Sequence, residues 1–250
     1  FCVANYSCMK LIKLDAIDST NEFLKGLSNK EDLENFTVVT AENQTKGKGQ
    51  MGAVWNSEVG KNLIMSVLVK DFLSEINEIF NLNIAVATAV ITALKKQNIP
   101  NLSIKWPNDI LSANKKIGGI LIENSIKSDG TILSIVGLGL NVNQTNFEGL
   151  PKASSLAVVM EHELNKEELL SAIVTQLEAN VEESKQNPTS LRQQFVDLLF
   201  KKGEPMPFTN QKEEKFMGII QGISPVGRLQ VLLEDDSVAE FDIKEIQMLY

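Results

Sequence analysis

Nine residues, 53–61, separate a Gly-x-Gly-x-x-Gly stretch from the next strand-like segment, and this short spacing constrains the fold more than any other feature. The stretch runs from Gly47 to Gly52 and has the glycine pattern of a dinucleotide-binding turn. That fold needs a crossover, usually a helix, of about a dozen or more residues before the next parallel strand. The intervening AVWNSEVGK is shorter, lacks helical periodicity and contains Gly60. We therefore exclude a dinucleotide fold and predict a loop between two strands.

Extended to Val54, the same stretch has the glycine-loop pattern of a protein kinase. A kinase also needs a His-Arg-Asp-type catalytic loop and an Asp-Phe-Gly motif. The only histidine, His162, is followed by Glu163, and Asp-Phe-Gly does not occur in the sequence. The kinase interpretation is therefore excluded. Two alternatives remain, a flexible basic surface loop or an anion-binding loop in which Lys46 and Lys48 add charge to closely approaching backbone N–H groups.

The formal net charge of the 250-residue chain is −8 and its pI is about 4.9. We expect neither nucleic-acid nor membrane binding, because there is no basic run to displace counterions and no stretch of roughly 18 apolar residues to span a bilayer. The only cysteines, Cys2 and Cys8, provide no disulfide framework, so a reducing cytoplasm is expected. Together with one histidine they cannot build a zinc site or a Ser-His-Asp triad.

Apolar periodicity and turn residues predict an α+β chain of strands and helices, with a small β-barrel module at the C-terminal end. The predicted helices begin at Ser19, near residue 76, at residue 166 after the capping Asn165, and after Pro188. The predicted strands cover residues 10–17, 36–42, 62–70, 102–106, 116–127 and 131–142, with Ser128-Asp129-Gly130 as a hairpin turn. Residues 144–155 are predicted to be loop. The character of the sequence changes at Lys201, which places the domain boundary near residue 200, between 1–200 and 201–250.

Four segments concentrate polar or charged side chains at the ends of predicted elements. Capping and turn formation explain part of them, but paired glycines inside a strand indicate close approach of a ligand or another backbone. The segments are Ser19-Thr20-Asn21 at a helix start, Lys105, Asn108 and Asp109 around Trp106-Pro107, Lys116 before Gly118-Gly119, and Asn141 after Gly137 and Gly139.

These segments carry a resemblance to a known family. STN, AENQTKGKGQMGAVW, KWPND, KKIGGILIE and VGLGLNVN occur in the order and spacing of the biotin protein ligase family, over about residues 10–145. The resemblance implies an α+β fold, in which a class II synthetase-like catalytic domain with a mixed sheet packed with helices is followed by an SH3-like module. It also implies formation of biotinyl-5′-AMP from biotin and ATP with Mg²⁺, and transfer of biotin to a lysine of a biotin carboxyl carrier domain, by a monomer or homodimer. Only about 18 residues precede STN, so a monofunctional form without a DNA-binding domain is expected, with Met9 as the candidate natural start.

The resemblance implies a role for each residue that matches a family motif. Biotin would be held at its ureido end by Ser19, Thr20, Asn21 and Gln44, along its pocket by Gly119 and Leu121, and under the loop by Gly47, Lys48, Gly49 and Gln50. Lys116 would bind the biotin carboxylate and the α-phosphate, Trp55 would cover the adenine, and Asn141 would contact the nucleotide. The phosphate and magnesium side would be completed by Lys105, Asn108 and Asp109, with Asp109 the candidate acceptor of the incoming lysine's proton. The implied catalytic residues are Lys48, Lys105, Asp109 and Lys116.

The glycine loop departs from the family, which often has Gly-Arg-Gly-Arg-Arg-Gly-Arg where this chain has Gly-Lys-Gly-Gln-Met-Gly-Ala. Lys48 keeps a charge without the fork geometry of arginine, whereas Gln50 and Ala53 are neutral. Two alternatives stay open, a lipoate–protein ligase and a non-catalytic biotin sensor. KWPND and the loop favour biotin, while Lys116 and Trp55 argue against a sensor, which has no need of ATP.

Overall fold

The computed structural model describes residues 2–6, 9–73, 75 and 78–250. Its larger sheet is built from β1 (Cys2–Tyr6), β2 (Met9–Ile17), β3 (Val38–Gln44), β4 (Leu63–Lys70), β5 (Leu102–Lys105), β6 (Asp109–Ser112), β7 (Lys115–Ile126) and β8 (Ile132–Leu140). The strand order is β1-β2-β3-β4-β8-β7-β6-β5. β2 and β3 are parallel, and every other neighbouring pair is antiparallel. The predicted mixed sheet is therefore present.

Five helices accompany this sheet: α1 (Thr20–Ser28), α2 (Ile79–Lys96), α3 (Leu156–Met160), α4 (Lys166–Gln186) and α5 (Pro188–Asp197). Ser19 and Asn165 cap α1 and α4 as predicted, because their side-chain oxygens accept backbone N–H groups of the first turn. Among the described residues, α2 is the one helix with the length and composition to cross a membrane. This helix lies at the centre of the core, where 67% of it is buried, and this position accounts for its apolar composition.

The two faces of the larger sheet carry separate apolar clusters. α2, α4 and α5 cover one face and contribute to the main core. α1 lies on the other face, where Leu24 packs with Ile12, Val39, Leu68 and Ile135. The N-terminus of α1, with its predicted Ser19-Thr20-Asn21 cluster, therefore points along this second face.

The C-terminal residues form a five-stranded antiparallel sheet of β9 (Pro205–Asn210), β10 (Lys215–Ile223), β11 (Leu229–Leu232), β12 (Val238–Phe241) and β13 (Ile246–Met248). Its order is β12-β11-β10-β9-β13, which is consistent with the predicted SH3-like module. One apolar cluster runs through both sheets. The domain boundary near residue 200 therefore stays a prediction.

Trp106 joins the two sheets. Its buried indole Nε1 donates a hydrogen bond to the Gly227 carbonyl at 2.9 Å, in the turn between β10 and β11. Gly227 has a φ of +91°, and a Cβ there would lie 2.1 Å from the Phe80 ring, so only glycine fits. Arg192 on α5 donates to the Ser224 carbonyl at 2.8 Å in the same region. These contacts hold the second sheet beside the ends of β5 and β6, close to the candidate site.

Three local features differ from the sequence expectations or add to them. β6 was not predicted, because Trp106-Pro107 was interpreted as the end of a strand and no new strand was expected directly after it. α3 follows directly from the predicted 144–155 loop, capped by Ser155. The pattern Ser19-x-x-Glu22 predicts a reciprocal capping box, but only the Ser19 hydroxyl caps α1, since the Glu22 carboxylate binds Lys48. Residues 76 and 77 of the second predicted helix, Cys8 and the side chain of Cys2 lie outside what the structure describes.

Candidate active site

A cavity of about 270 Å³ lies on the face of the larger sheet that carries α1. Residues directly opposite each other on neighbouring antiparallel strands have their side chains on the same face of the sheet. The floor of the cavity therefore consists of rows of such residues, each row running across several strands. In the first row Gly119 pairs with Gly139, and Gly139 pairs with Ile64. A Cβ on Gly139 would lie 2.4 Å from Trp55 Cε2, and one on Gly119 would lie 3.5 Å from Cζ3 of the same ring. The glycines therefore allow the indole of Trp55 to lie against the backbone of the strands.

Trp55 has one unusual feature. Its Nε1 is buried and has no hydrogen-bond partner among the described residues. A buried donor without a partner is costly and rare in native structures. We infer that this end of the cavity is completed by a ligand or by water.

The second row places Leu121 opposite Gly137, and Gly137 opposite Ser66. Here a Cβ on Gly137 would lie 2.5 Å from Asn21 Oδ1, so the side chain of Asn21 occupies the space that a larger residue would take. Asn21 Nδ2 donates to Glu123 Oε2 at 2.7 Å, and its Oδ1 lies 2.6 Å from the Ser66 hydroxyl. Asn21 is thus fixed in orientation by strands on both sides.

Thr20 extends this network. Its backbone N–H donates to Gln44 Oε1 at 2.8 Å, and its hydroxyl lies 2.8 Å from that of Ser66. Thr20, Asn21 and Ser66 are 3%, 4% and 0% exposed. At this depth each polar group needs a partner, and the network supplies donors and acceptors in fixed positions. This buried end of the cavity is neutral apart from Glu123, and is suited to a ligand head that both donates and accepts hydrogen bonds.

The opposite end is cationic. Lys116 Nζ lies 2.6 Å from Asp109 Oδ1 and 5.7 Å from the centroid of the Trp55 ring. Lys105 Nζ lies 3.7 Å from Asp109 Oδ2. Lys105 on β5 is opposite Asp109 on β6, and Asp109 is opposite Gly119 on β7. The row of residues that contains Gly119 therefore extends across the sheet to Asp109 and Lys105. Asp109 positions the two ammonium groups beside the ring, where a carboxylate or phosphate can bind them.

A β-bulge directs Lys116 into the cavity. The register between β6 and β7 shifts at Ile110 and Leu111, so that Ile117 has no opposite residue. Ile117 and Ile120 both lie in the main core although they are three residues apart, which regular alternation would not permit. The bulge reverses the alternation and turns Lys116 to the α1 face, a role that bulges often have beside active sites.

The glycine loop is a small hairpin. Gly49 N–H donates to the Ala53 carbonyl at 2.7 Å, and Trp55 N–H donates to the Gly47 carbonyl at 3.0 Å. A Cβ on Gly47 would lie 2.3 Å from the Trp55 carbonyl oxygen, and Gly52 has a φ of +82°. These glycines therefore serve the hairpin itself. The N–H of Gly49, expected to face an anion, is used inside it.

Exposed ion pairs tie this hairpin to α1. Lys48 Nζ lies 2.6 Å from Glu22 Oε1, and Lys46 Nζ lies 2.7 Å from Asp18 Oδ2. The hydrogen bond from Lys48, and secondarily its charge, lowers the pKa of Glu22, while the same hydrogen bond raises the pKa of Lys48. Lys48 thus binds a carboxylate of the protein at the position where a phosphate was expected. Exposed pairs of this kind are weak and easily exchanged.

Most of the predicted site residues line the cavity. Gly47 lies at the base of the hairpin, Lys105 lines a neighbouring cleft, and Asn141 is buried with its Nδ2 donating to the Ser154 carbonyl at 3.0 Å. The roles of all the predicted site residues stay predictions, since lining a cavity does not show what a residue binds. The predicted residues that line the cavity are Ser19, Thr20, Asn21, Gln44, Lys48, Gly49, Gln50, Trp55, Asn108, Asp109, Lys116, Gly119 and Leu121.

Sequence reasoning missed Ser66 and Glu123, which fix Asn21. Ser66 is the one polar residue inside the apolar run LIMSVLV, and Glu123 interrupts GILIEN, so isolated polar residues in strands were the available signal. Gly137 and Gly139 were noticed as interruptions of a strand without an assigned neighbour. Their neighbours, Asn21 and Trp55, lie far away in the chain, and only the tertiary structure identifies them.

Comparison with known proteins decides the family. The profile of the biotin/lipoate A/B protein ligase family matches residues 14–143, just over half of the chain. The chain belongs to this family. All of the cavity-lining residues lie within the matched range.

Among its relatives, the bifunctional ligase/repressor BirA of Bacillus spizizenii is 37% identical over 134 residues, 54% of this chain and 41% of that protein. BirA of Escherichia coli is 27% identical over 230 residues, 90% of this chain and 69% of that protein. The match thus spans about two fifths of the Bacillus relative. The biotin protein ligase from Aquifex aeolicus, solved in complex with biotin and ATP, is 26% identical with a TM-score of 0.78, covering 96% of this chain and 98% of that one. The predicted fold class is thereby confirmed.

Proposed function

We propose that this family member is an ATP-dependent biotin–protein ligase, which forms biotinyl-5′-AMP and transfers biotin to a lysine of a carrier domain. One observation carries the proposal. A single cavity joins a buried hydrogen-bonding end, at Thr20, Asn21 and Ser66, to a cationic end at Lys116, whose partner Asp109 also pairs with Lys105 from the neighbouring cleft. Biotin has the matching polarity, with a ureido head that donates and accepts hydrogen bonds and a carboxylate at the far end.

The residues at the cationic end suit the first step. A carboxylate oxygen of biotin attacks the α-phosphorus of ATP, a new C–O–P linkage forms, and the bond to the β-phosphate breaks to release pyrophosphate. A carboxylate is already a nucleophile, so no Ser, Cys or His is required. The barrier lies in bringing anions together, which Lys116 offsets by binding both reacting groups. Trp55, with its unpartnered Nε1, is the surface for the adenine.

The second step is aminolysis of the mixed anhydride. The carrier lysine's amine attacks the acyl carbon, an amide forms, AMP leaves, and the amine loses a proton. The protein's main tasks are to exclude water and to position the amine. The hairpin of residues 47–55 covers the cavity and serves the first task, and Asp109 is the proposed proton acceptor. A carrier domain of a biotin-dependent carboxylase in the cytoplasm is the proposed partner.

Mg²⁺ enters this proposal with ATP as part of the substrate. Within the described residues no three His, Cys, Asp or Glu side chains lie together to hold a metal ion. Asp109 is the carboxylate at the cationic end, and Lys116 and Lys105 already pair with it. The ion would therefore be held mainly by the phosphates, as is usual for magnesium–nucleotide complexes.

We propose biotin rather than lipoate as the substrate because the buried end of the cavity is lined with hydrogen-bonding groups. A dithiolane ring offers no N–H donor, so it would leave Asn21, Thr20 and Ser66 without ligand partners. Sites built to hydrogen-bond a polar substrate group reject analogues that lack it.

Intact mass spectrometry of a carrier domain, incubated with the protein, ATP, Mg²⁺ and either acid, tests this proposal. We expect one biotin to be added to one carrier lysine and no addition of lipoate. Modification by lipoate alone would identify the other activity of the family. Biotin binding without any transfer would support the sensor alternative.

A further inference from the structure

Tyr250, beyond β13 in the C-terminal sheet, reaches the cationic end of the cavity. The ammonium group of Lys152 lies 4.2 Å from the centroid of its ring, and that of Lys105 lies 5.2 Å from it. Phe200 supports the ring edge to face, with the two centroids 5.0 Å apart. Both lysine distances are within the range of cation–π attraction.

Lys152 is held at this position by the backbone of Lys116. The N–H of Lys116 donates to the Lys152 carbonyl at 2.7 Å, and the N–H of Ser154 donates to the Lys116 carbonyl at 2.9 Å. The segment around Lys152 therefore runs beside the start of β7. The ammonium group of Lys152 thus comes from a loop that carries none of the predicted site residues.

The charges in this lysine cluster (Lys105, Lys116 and Lys152) are not balanced. Asp109 is the carboxylate that pairs with Lys105 and Lys116, and among the described residues no ion pair joins Lys152 to a carboxylate. Burial, and secondarily the charge of Asp109, raises the pKa of Tyr250, so the phenol stays neutral near pH 7. Among the described side chains of this cluster, three cations thus face one carboxylate.

An aromatic ring holds a cation without neutralising it. A carboxylate in place of Tyr250 would cancel one lysine charge, whereas the ring orders Lys105 and Lys152 and leaves their charges available to an anion. There is space for such an anion, because Lys105 also lines a cleft of about 360 Å³ between the two sheets, which Lys244 shares.

We propose that Tyr250 is a positioning residue that holds Lys105 and Lys152 to bind the β- and γ-phosphates of ATP and then the leaving pyrophosphate. This inference rests on the proposed function and adds a subsite to it. Lys116 acts at the α-phosphate, and the Tyr250–Lys152 pair acts on the group that departs. The C-terminal sheet thereby contributes a residue to the adenylation site.

Calorimetric binding of inorganic pyrophosphate and of AMP, each with Mg²⁺, tests the subsite without requiring turnover. Lys152→Ala and Tyr250→Ala should each weaken pyrophosphate binding roughly tenfold, the worth of one charge-assisted hydrogen bond, and leave AMP binding unchanged. Tyr250→Phe keeps the ring and should bind pyrophosphate like the wild type. Lys212→Ala, at an exposed lysine in the β9–β10 turn, is the matched control.

The outcomes separate the inference from the proposed function. Equal loss of AMP and pyrophosphate binding in Lys152→Ala, or no loss of either, would overturn the subsite. A Tyr250→Phe variant as weak as Tyr250→Ala would show that the hydroxyl acts rather than the ring. Lys152 is exposed, so its variant remains informative if Tyr250→Ala fails to fold. A wild type that binds pyrophosphate at this subsite but does not activate biotin would contradict only the proposed function.

Discussion

The two ends of the cavity are built in different ways. At the buried end, Thr20, Asn21 and Ser66 are held by hydrogen bonds to β3, β4 and β7 and are almost fully inaccessible. At the cationic end, Lys116 and Lys105 are about one-third and one-quarter exposed, and both pair with Asp109. A buried network keeps one geometry because breaking it leaves polar groups unpaired. Exposed ion pairs exchange partners at little cost. The first end is suited to selecting a ligand, and the second to binding charges that change during a reaction.

Removing the cation at the reacting phosphate should have the largest effect. For Lys116→Ala we expect adenylate formation to slow by about 10²–10³-fold, the usual loss when one preorganised charge contact is removed from a transition state. Thermal unfolding should change little, because the lysine is partly exposed. Single-turnover formation of biotinyl-AMP measures this, with Lys127→Ala on the β7–β8 turn as the control. Near-normal adenylation would show that Lys116 does not contact the reacting phosphate.

Two glycine substitutions should each affect a different end of the cavity. Gly137→Ala places a Cβ 2.5 Å from Asn21 Oδ1, and Gly139→Ala places one 2.4 Å from the Trp55 ring. We expect the first to raise KM for biotin and the second to raise KM for ATP, each by about one order of magnitude or more. Overpacking of this kind also costs about 1–3 kcal/mol of stability. Steady-state kinetics with each substrate varied provide the test. If both variants raised both constants equally, the division of the cavity would be wrong.

A smaller effect is expected for Ser66→Ala. The hydroxyl is fully buried and contacts both Thr20 and Asn21, so its removal leaves a buried acceptor with one partner fewer. The expected loss is about 1–2 kcal/mol in biotin binding, close to tenfold in Kd. Calorimetry with biotin alone measures this, and ATP binding should be unaltered. Ser103→Ala, at a β5 hydroxyl that has no hydrogen-bond partner among the described residues, is the matched control.

Changes in the exposed hairpin should affect retention of the adenylate rather than its formation. Lys48→Ala is expected to release biotinyl-AMP several-fold faster and to label bystander lysines, because one charge over the adenylate is lost. Glu22→Gln frees Lys48 from its carboxylate and should retain the adenylate at least as well as the wild type. Release can be followed by filter binding. Faster release from both variants would mean that the ion pair itself, rather than Lys48, closes the hairpin.

The smallest effect is a pH dependence of hairpin order in the ligand-free protein. Since Glu22 has a lowered pKa when folded, its pair with Lys48 contributes above the ordinary glutamate pKa of 4.5 and is lost as the pH falls through the lowered value. Hydrogen exchange of the 45–55 amides, corrected for intrinsic rates, should show protection decreasing in that acidic range. In Glu22→Gln the decrease should be absent.

Short sequence patterns were sufficient to predict those helices, strands and turns that depend mainly on neighbouring residues. The apolar strands β2 and β4, the Asn165 cap of α4 and the strand-to-strand nature of the glycine loop were all predicted correctly. β6 was missed because four residues after a proline turn carry little periodicity. The cavity residues of the family motifs were brought together as the resemblance implied.

Contacts between distant parts of the chain were beyond sequence reasoning. Nothing local in KKIGGILIE shows that a bulge reverses the direction of Lys116, and nothing near Tyr250 connects it with Lys152. The loop glycines suggested an anion-binding backbone, but the geometry of the hairpin itself explains why Gly47 and Gly52 are glycines. Sequence patterns thus pointed to most of the residues that line the cavity, while their orientation depends on strand register and on packing between the two sheets.

Biotin-dependent pyrophosphate release by the wild-type protein, measured without any carrier domain, tests the central claim most directly. With ATP and Mg²⁺ present, we predict a burst of pyrophosphate about equal to the enzyme concentration when biotin is added, and none with lipoate or with Lys116→Ala. A burst with lipoate alone, or no burst with biotin, would contradict the assignment of this cavity to biotin activation.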